Sequence, residues 1–420
     1  MPKHMTGLAR RSAACAVLLG LASGLAAVSA AGIEPGGQAS FVDPTAELSK
    51  QGTLELSGRV YVAPFARMEA AAGRRVRIGE RANVQDNAVL RATNGDIELG
   101  ERAIIAHGAV VEAAQPARIA AETSRPDYRN PGTEAIERYM AAHPGTYGWG
   151  AVPAFIGFNA WVDGAVISDG SMVMHLARVD PGVTLKSGMK VLAGKRVRTQ
   201  EEAENPAVGK VEYLTEADMA FMDDVVEVNT ALAAGYSGLA HEDASLVRGI
   251  GYNPGGLPGN ERRVLPAVGG VPTQQPDTGR YKFRIIGNVQ IADIRGLRDG
   301  VSLRADEGPE IVIGSRGRFL GGNTLHALLA TKIAAGSRVT LHPGAIVHGG
   351  SGPHLAGGNT TEIGDGSRIG SRAVVFRSKL GKGVKVGENS LVTDSVLPDG
   401  TVVPEREVWG GGKKLYSVEW

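Results

Sequence analysis

EIGDGSRIGSRAVVFRSKLGKGVKVGENSLV, residues 362–392, places an aliphatic residue at every sixth position. The aliphatic positions are Ile363, Ile369 and Val375 and then, after a shift of one residue, Leu380, Val386 and Val392. A period of six fits neither an α-helix, which repeats every 3.6 residues, nor an alternating β-strand, which repeats every two. It is typical of a parallel β-helix built from hexapeptides, in which each hexapeptide forms one short strand and one turn.

The same period occurs in two separate regions, which predicts two β-helices in tandem. Three hexapeptides, about eighteen residues, would close one triangular coil, and one aliphatic residue of each would point inward. The other repeats lie at Ile78, Val84 and Leu90; at Leu99, Ile105 and Val111; at Ile156 and Val162; and at Ile313, Phe319 and Leu325. A composition with 59 glycines and only 5% aromatic residues also suits short strands and tight turns.

The repeats divide the chain into two domains. We expect the first β-helix over residues 31–236 and the second over residues 281–420. Residues 237–280, which are rich in Gly, Pro, Asn and Gln, are predicted to form a linker. The expected fold is therefore mainly β.

Two segments of the first domain lack the repeat. Residues 114–150 are predicted to be an insertion with a short helix at GTEAIERYMAAH, residues 132–143. Residues 215–234 have the pattern of an amphipathic α-helix after the first β-helix, with Thr215 as the N-cap and Gly235 as the end.

Residues 1–30 have the pattern of an export signal, with a basic start, an apolar run and a small-residue cleavage site ending at Ala30. We therefore expect a periplasmic or secreted protein without a membrane anchor after signal removal. The single cysteine, Cys15, lies inside this segment, which leaves no thiol for a disulfide or a Cys-based metal site. Without the three signal cations, 42 basic residues face 44 acidic ones, a net charge of −2 that does not favour nucleic acid as a partner.

Both repeat regions contain short motifs that combine polar and glycine residues. They are NVQDNAVLRA (83–92) and AIIAHGAVVE (103–112) in the first region, and RADEG (304–308), NTLHAL (323–328) and VTLHPGAIVHGG (339–350) in the second. These motifs, in this order, resemble the gamma-class carbonic anhydrases. The resemblance implies two such modules in tandem, here called module one and module two. It also implies a left-handed β-helix, trimer-like assembly, and a zinc or iron ion on three histidines at each interface. The implied reaction is reversible hydration of carbon dioxide to bicarbonate by a metal-bound hydroxide.

The family's three ligand positions are divided between the modules. Module one has Arg91, His107 and Glu112 there, and module two has His326, Pro343 and His348, with His342 one residue early. In the family the first and third ligands come from one subunit, and the middle ligand comes from its neighbour. Since each module keeps what the other has lost, a composite site of His107, His326 and His348 would have a full set of metal ligands.

The strand pattern agrees with such a site. His326 follows inward Leu325 and His348 follows inward Val347, and successive residues of a strand point to opposite faces. Both imidazoles should therefore point outward, toward another β-helix. Three neutral imidazoles leave one tetrahedral position open, as in catalytic zinc sites.

The resemblance also assigns the residues around the metal. In module two, Arg304 and Asp306 would be structural or interface residues and Glu307 a catalytic proton shuttle. In module one, Arg67, Glu69 and Ala70 occupy the place of that motif, and Arg67 would be the structural residue. Conversely, the motif NVQD supplies Asn83 and Gln85 as polar groups near the reacting water, with Asp86 at the interface.

Other interpretations stay open at this point. Arg91 and Glu112 would form an ion pair in a metal-free site of module one that helps to hold a trimer-like interface. His342 would be structural or a spare ligand, and His354 a proton relay or an exposed loop residue. The whole chain would then be a non-catalytic scaffold or assembly protein with degenerate metal sites. A hexapeptide acyltransferase is a third and weaker hypothesis, since the motifs RADEG and NVQD have no role in one. A homo-oligomer or a pseudo-trimeric assembly is expected.

Overall fold

A computed structural model describes residues 40–48, 51–121, 124–242, 283–328, 331–350 and 360–420. The predicted signal segment, most of the predicted linker and His354 lie outside the described residues. None of the helices in these ranges has the length and apolar character needed to cross a membrane.

Module one is a triangular β-helix with three parallel sheets, here called A, B and C. Sheet A contains Phe41–Val42, Tyr61–Val62, Asn83–Val84, Ala103–Ile105, Ala154–Ile156, Met172–Val173, Met189–Val191 and the antiparallel Val211–Tyr213. Sheet B contains Glu47–Leu48, Arg67–Ala70, Val89–Ala92, Val110–Glu112, Trp161–Asp163, Arg178–Val179 and Arg196–Val197. Sheet C contains Thr53–Leu56, Arg75–Ile78, Ile97–Leu99, Ala117–Ile119, Val166–Ile167 and Thr184–Leu185.

Module two repeats this architecture with sheets D, E and F. Sheet D contains Arg284–Gly287, Ser302–Ala305, Thr324–His326, Ile346–His348, Val374–Phe376, Leu391–Thr393, Glu407–Gly410 and the antiparallel Lys413–Ser417. Sheet E contains Val289–Ile291, Ile311–Ile313, Lys332–Ala335, Thr360–Ile363, Lys379–Leu380 and Val396–Leu397. Sheet F contains Arg318–Phe319, Thr340–Leu341, Arg368–Ile369, Lys385–Val386 and Val402–Val403.

The prediction of two tandem left-handed β-helices is therefore confirmed. The six-residue aliphatic positions are the inward ones, because each lies in a strand whose Cα partners in the next coil are again aliphatic. They stack into one continuous apolar core in each module. The two cores are the main source of hydrophobic stabilisation, since the strands themselves are only two to five residues long.

The predicted insertion begins later than expected. Ala117–Ile119, inside the predicted insertion 114–150, pairs in parallel with Ile97–Leu99 and with Val166–Ile167 in sheet C. The repeat therefore continues for one more strand, and the excursion starts after it. Helix α1, Pro131–Ala142, begins at a capping box on Asn130.

Two further α-helices follow the last coils of module one. Helix α2 is Gln200–Glu204 and helix α3 is Glu216–Glu242, and short 3-10 helices lie at Pro206–Val208 and Ile294–Gly296. The prediction that α3 ends at Gly235 is wrong. An interior glycine costs about 1 kcal/mol in an α-helix. Packing of the following turn opposes that cost, because Tyr236 is buried against Phe41 and Tyr61.

Sheet D of module two packs against the corner of module one between sheets A and B. An apolar cluster crosses this interface and includes Ile104, Phe155 and Phe158 from module one and Ile346, Val374, Leu391 and Val408 from module two. Asn159 Nδ2 donates hydrogen bonds to the carbonyls of Gly344 (3.0 Å) and Arg372 (2.8 Å). At the end of the chain, Trp420 Nε1 donates to the carbonyl of Leu176 at 2.6 Å. The interface is thus both apolar and hydrogen-bonded.

Candidate functional site: a histidine cluster between the two modules

Two columns of side chains face each other across the interface. Each column takes one residue from each of four successive coils, as the strand register shows. The module-one column is Asp86, His107, Phe158 and His175, and the module-two column is Arg304, His326, His348 and Phe376. The repeat itself therefore stacks these groups at the spacing of neighbouring strands, about 4.8 Å.

The three predicted ligands meet where the columns touch. His107 Nε2 lies 3.1 Å from His326 Nδ1, and His326 Nδ1 lies 3.2 Å from His348 Nε2. All three nitrogens lie within 4.8 Å of one another, and all three side chains are buried. The corner after His107 needs glycine, since Gly108 has φ +66° and a Cβ there would come within 2.2 Å of Asn159 Oδ1.

The far nitrogen of each imidazole faces an oxygen atom. His107 Nδ1 lies 3.1 Å from Asp86 Oδ2, His326 Nε2 lies 3.1 Å from Glu307 Oε1, and His348 Nδ1 lies 2.8 Å from the carbonyl of Gly349. An acceptor at the far nitrogen favours the tautomer that carries its proton there. With the protons on the far nitrogens, the three near nitrogens would present lone pairs to one another.

Burial keeps two of these imidazoles uncharged. It lowers the pKa of His107 against the opposing effect of Asp86. Burial, together with the neighbouring histidines, lowers the pKa of His348 well below its usual value. Neutral imidazoles are the form that binds metals.

A buried network of charges surrounds the cluster. Arg304 Nη1 donates to Asp86 Oδ2 at 2.8 Å across the interface, and Arg304 Nη2 donates to Asp306 Oδ2 at 2.8 Å within module two. Burial alone would raise the pKa of Asp86, but the Arg304 guanidinium and the hydrogen bond from His107 hold it well below the usual range. Asp86, Asp306 and Glu307 thus lie buried around the cluster together with the guanidinium of Arg304.

The donor set fits a divalent metal ion. Three convergent imidazole nitrogens at Zn–N distances of about 2.0–2.1 Å would be separated by about 3.3 Å, close to the observed spacing. His107, His326 and His348 would hold the ion.

The other predicted site residues lie in different places. Glu307, Asp306 and Asp86 surround the cluster as described. Asn83 and Gln85 are buried next to it, but within the described residues Gln85 Nε2 donates to Asn83 Oδ1 at 3.1 Å and neither amide bonds to an imidazole.

Arg67 is exposed on sheet B. The structural or interface role expected for it stays a prediction. The inward residues Met68 and Leu303 correspond, so the residue that occupies the position of Arg304 is Glu69, two residues after Arg67.

In module one, the residues at the ligand positions that the resemblance implied form ion pairs, as predicted. These ion pairs do not lie at the interface between the modules. Arg91 is paired with Glu112 and, at 2.8 Å, with Glu69, and all three side chains are partly exposed. His342 lies outside the histidine cluster, beside Arg368 on sheet F.

Sequence reasoning missed the aromatic part of the columns. Phe158 stacks between His107 (ring centroids 5.4 Å apart) and His175 (4.3 Å), and Phe376 meets His348 edge-on at 5.5 Å. Burial, aided by the charge of Arg377, lowers the pKa of His175 to about 3, and its Nδ1 accepts the backbone N–H of Phe158 at 3.0 Å. The signal was present, because Phe158 and His175 stand two residues after the inward Ile156 and Val173, as His107 stands two residues after Ile105.

Comparison with known proteins agrees with these observations. No family model matches the chain. A carbonic anhydrase from Methanosarcina thermophila is 29% identical over 212 residues, which cover 48% of this chain and 76% of that protein. The carboxysome assembly protein CcmM from Nostoc sp. is 32% identical over 130 residues, which cover 29% of this chain and 22% of that protein.

Two solved structures are similar at lower identity. A hexapeptide transferase family protein from Anaplasma phagocytophilum is 20% identical with a TM-score of 0.19, and covers 46% of this chain and 91% of that one. A UDP-N-acetylglucosamine acyltransferase is 10% identical with a TM-score of 0.15, and covers 90% of this chain and 71% of that one. The sequence relationships support the resemblance from which the histidine cluster was predicted. The chain is therefore similar in sequence to a carbonic anhydrase and carries two hexapeptide-repeat β-helices in tandem.

Proposed function

We propose that this protein is a metal-dependent, carbonic anhydrase-like enzyme that interconverts carbon dioxide and bicarbonate at a composite site between its two modules. The observation that carries the proposal is the convergence of three buried imidazole nitrogens, His107 Nε2, His326 Nδ1 and His348 Nε2, at 3.1 and 3.2 Å. Homology to a carbonic anhydrase supports the choice of reaction.

Each ligand would be held in place by the group at its far nitrogen. Asp86 would orient His107, the Gly349 carbonyl would orient His348, and Glu307 would orient His326. Such outer contacts fix both the tautomer and the direction of the lone pair. The bound metal would supply the Lewis acidity that ionises water near neutral pH.

The residues around the cluster suit the rest of the reaction. The rings of Phe158 and Phe376 would give a small, apolar substrate such as carbon dioxide a wall next to the imidazoles. The Glu307 carboxylate would accept the proton released from water at the oxygen that does not face His326. Zinc and iron both suit imidazole ligands, so we propose one of the two as the metal.

A second candidate function is that of an assembly scaffold. Its support is the pair Arg91 and Glu112, which replaces two ligands in module one, and the similarity to a carboxysome assembly protein. Under this alternative the buried cluster would remain metal-free. For either function we propose export to the periplasm or beyond, on the basis of residues 1–30.

Metal analysis of the purified protein tests the proposal. We expect about one zinc or iron ion per chain, and loss of the ion together with carbon dioxide hydration in both His107→Ala and His326→Ala. His342→Ala is the matched control, since that histidine lies outside the cluster, and should keep both metal and activity. A wild-type protein that stays metal-free under metal-replete conditions would favour the scaffold.

A further inference from the structure

The last turns of helix α3 lie beside the buried charge network. Tyr236 is 1% exposed, and its hydroxyl donates a hydrogen bond to Asp306 Oδ2 at 2.6 Å. The contact crosses the interface, since Tyr236 belongs to module one and Asp306 to module two. It exists only because the helix continues past Gly235.

Asp306 Oδ2 is where several donors meet. Besides the Tyr236 hydroxyl, Arg304 donates to the same oxygen from Nε at 3.1 Å and from Nη2 at 2.8 Å. This leaves Arg304 Nη1 directed away from Asp306, toward Asp86 Oδ2 at 2.8 Å. A guanidinium is planar, so fixing one edge fixes the direction of the other.

Asp86 connects this network to the first ligand. Its Oδ2 lies between Arg304 Nη1 and His107 Nδ1, which is 3.1 Å away, and its Oδ1 accepts a hydrogen bond from Ser302 Oγ at 2.6 Å. A continuous series of contacts therefore leads from the Tyr236 hydroxyl to the ring of His107. Asp306 also lies near the second ligand, with Oδ1 3.8 Å from His326 Nε2.

The Tyr236 ring is held independently of its hydroxyl. It stacks on Phe41 with ring centroids 5.0 Å apart and on Tyr61 at 5.9 Å. Replacement by phenylalanine keeps this stack and removes only the O–H group. The effect of the hydroxyl on the charge network can therefore be separated from that of the packed ring.

We propose that Tyr236 is a positioning residue of the composite metal site, acting through Asp306, Arg304 and Asp86 to hold the His107 imidazole in its ligating direction. This inference rests on the proposed function, because it assumes a metal on the histidine cluster. The inference gives the part of α3 beyond Gly235 a role in the metal site. Through Asp306, this part of the helix lies close to ligands of both modules, His107 and His326.

The test is the dissociation constant of Co²⁺ or Zn²⁺, measured on the full chain by competition with a chelator, for wild type, Tyr236→Phe and Tyr139→Phe. Tyr139 is the matched control, since it is also a largely buried tyrosine that donates to a carboxylate, Asp223 Oδ2 at 3.2 Å. Its hydrogen bond joins α1 to α3 and is not part of the charge network around the histidine cluster. We expect Tyr236→Phe to raise the dissociation constant, by less than the roughly tenfold to hundredfold typical of groups that bond a ligand directly, because Asp306, Arg304 and Asp86 stand between Tyr236 and His107. Tyr139→Phe should leave it unchanged.

Two further readouts separate positioning from general destabilisation. The Co²⁺ absorption spectrum should change in Tyr236→Phe, because the geometry of the ligands changes, and stay as in wild type in Tyr139→Phe. The unfolding midpoints of the metal-free variants should fall by similar small amounts. Equal metal affinity and spectra in wild type and Tyr236→Phe would overturn this inference alone. A wild-type protein that binds neither ion would overturn the proposed function and this inference with it.

Discussion

Sheets B and D carry corresponding positions of the two modules with opposite contents. Glu69, Arg91 and Glu112 follow the inward residues of three successive coils in sheet B, and Arg304, His326 and His348 follow those of sheet D. In module one the three side chains are 42%, 34% and 23% exposed and pair with one another. In module two all three are at most 5% exposed, because the corner of module one covers them.

Sheets B and D have the same backbone register, so the backbone does not determine whether their outward side chains are ion pairs or imidazoles. The same register supports a solvated ion-pair ladder where nothing covers it and a buried imidazole cluster where another β-helix does. A charged group in water and one in the protein interior differ greatly in free energy. Equivalent substitutions in sheets B and D should therefore change the free energy of unfolding by different amounts.

The largest difference in stability should appear between substitutions of Arg304 in sheet D and of Glu69, its counterpart in sheet B. Arg304→Ala removes the one buried guanidinium that faces Asp86 and Asp306, and should lower the free energy of unfolding by about 3–5 kcal/mol. Its positional counterpart, Glu69→Ala, should cost less than about 1 kcal/mol. Denaturant titrations of the metal-free proteins measure both values, and equal losses would mean that burial of sheet D contributes nothing to the contrast.

A smaller loss of stability is expected for a substitution at a contact that joins the two modules. Asn159→Ala leaves the partly buried carbonyls of Gly344 and Arg372 without their inter-module donor, and should cost about 1–3 kcal/mol. Asn389→Ala is the control, since Asn389 has the same φ of 51° at the matching corner of module two and no hydrogen bond to module one within the described chain. Comparable losses in the two variants would show that backbone strain, and not the joining contact, is responsible.

The smallest effect should come from the exposed ladder itself. Arg91→Met should lower the free energy of unfolding by less than about 1 kcal/mol, because partly exposed ion pairs are weak and screened. The difference from wild type should shrink further at about 1 M salt, where charges are screened within about 3 Å. Urea titrations at low and high salt measure this, and a loss that persists at high salt would point to a packing role for the arginine stem.

Much of the fold follows from local sequence. The hexapeptide period places the inward residues, and Leu325 and Val347 predict the outward direction of His326 and His348, which directly follow them. The pairing of module two's ligands with His107 also followed from the complementary losses. These features depend on short-range spacing, which the sequence displays directly.

Other features depend on contacts between distant segments and were missed. The end of α3 is set by burial of Tyr236 against Phe41 and Tyr61 and not by Gly235. Motif letters do not show which residue of a strand points inward, so they did not reveal that Glu69, two residues after Arg67, corresponds in register to Arg304. The strand Ala117–Ile119 was assigned to the insertion because its coil resumes only after a long excursion.

All three imidazoles of the cluster belong to one polypeptide. A cluster shared between separate subunits comes apart when the protein is diluted below the subunit dissociation constant. In this chain the facing module is tethered, so its effective concentration does not fall with dilution. The tandem arrangement also gives each face its own codons, so a mutation that alters sheet B leaves sheet D unchanged. The outward residues of sheet B are thus free to diverge, while His107 of module one and the histidines of sheet D are kept.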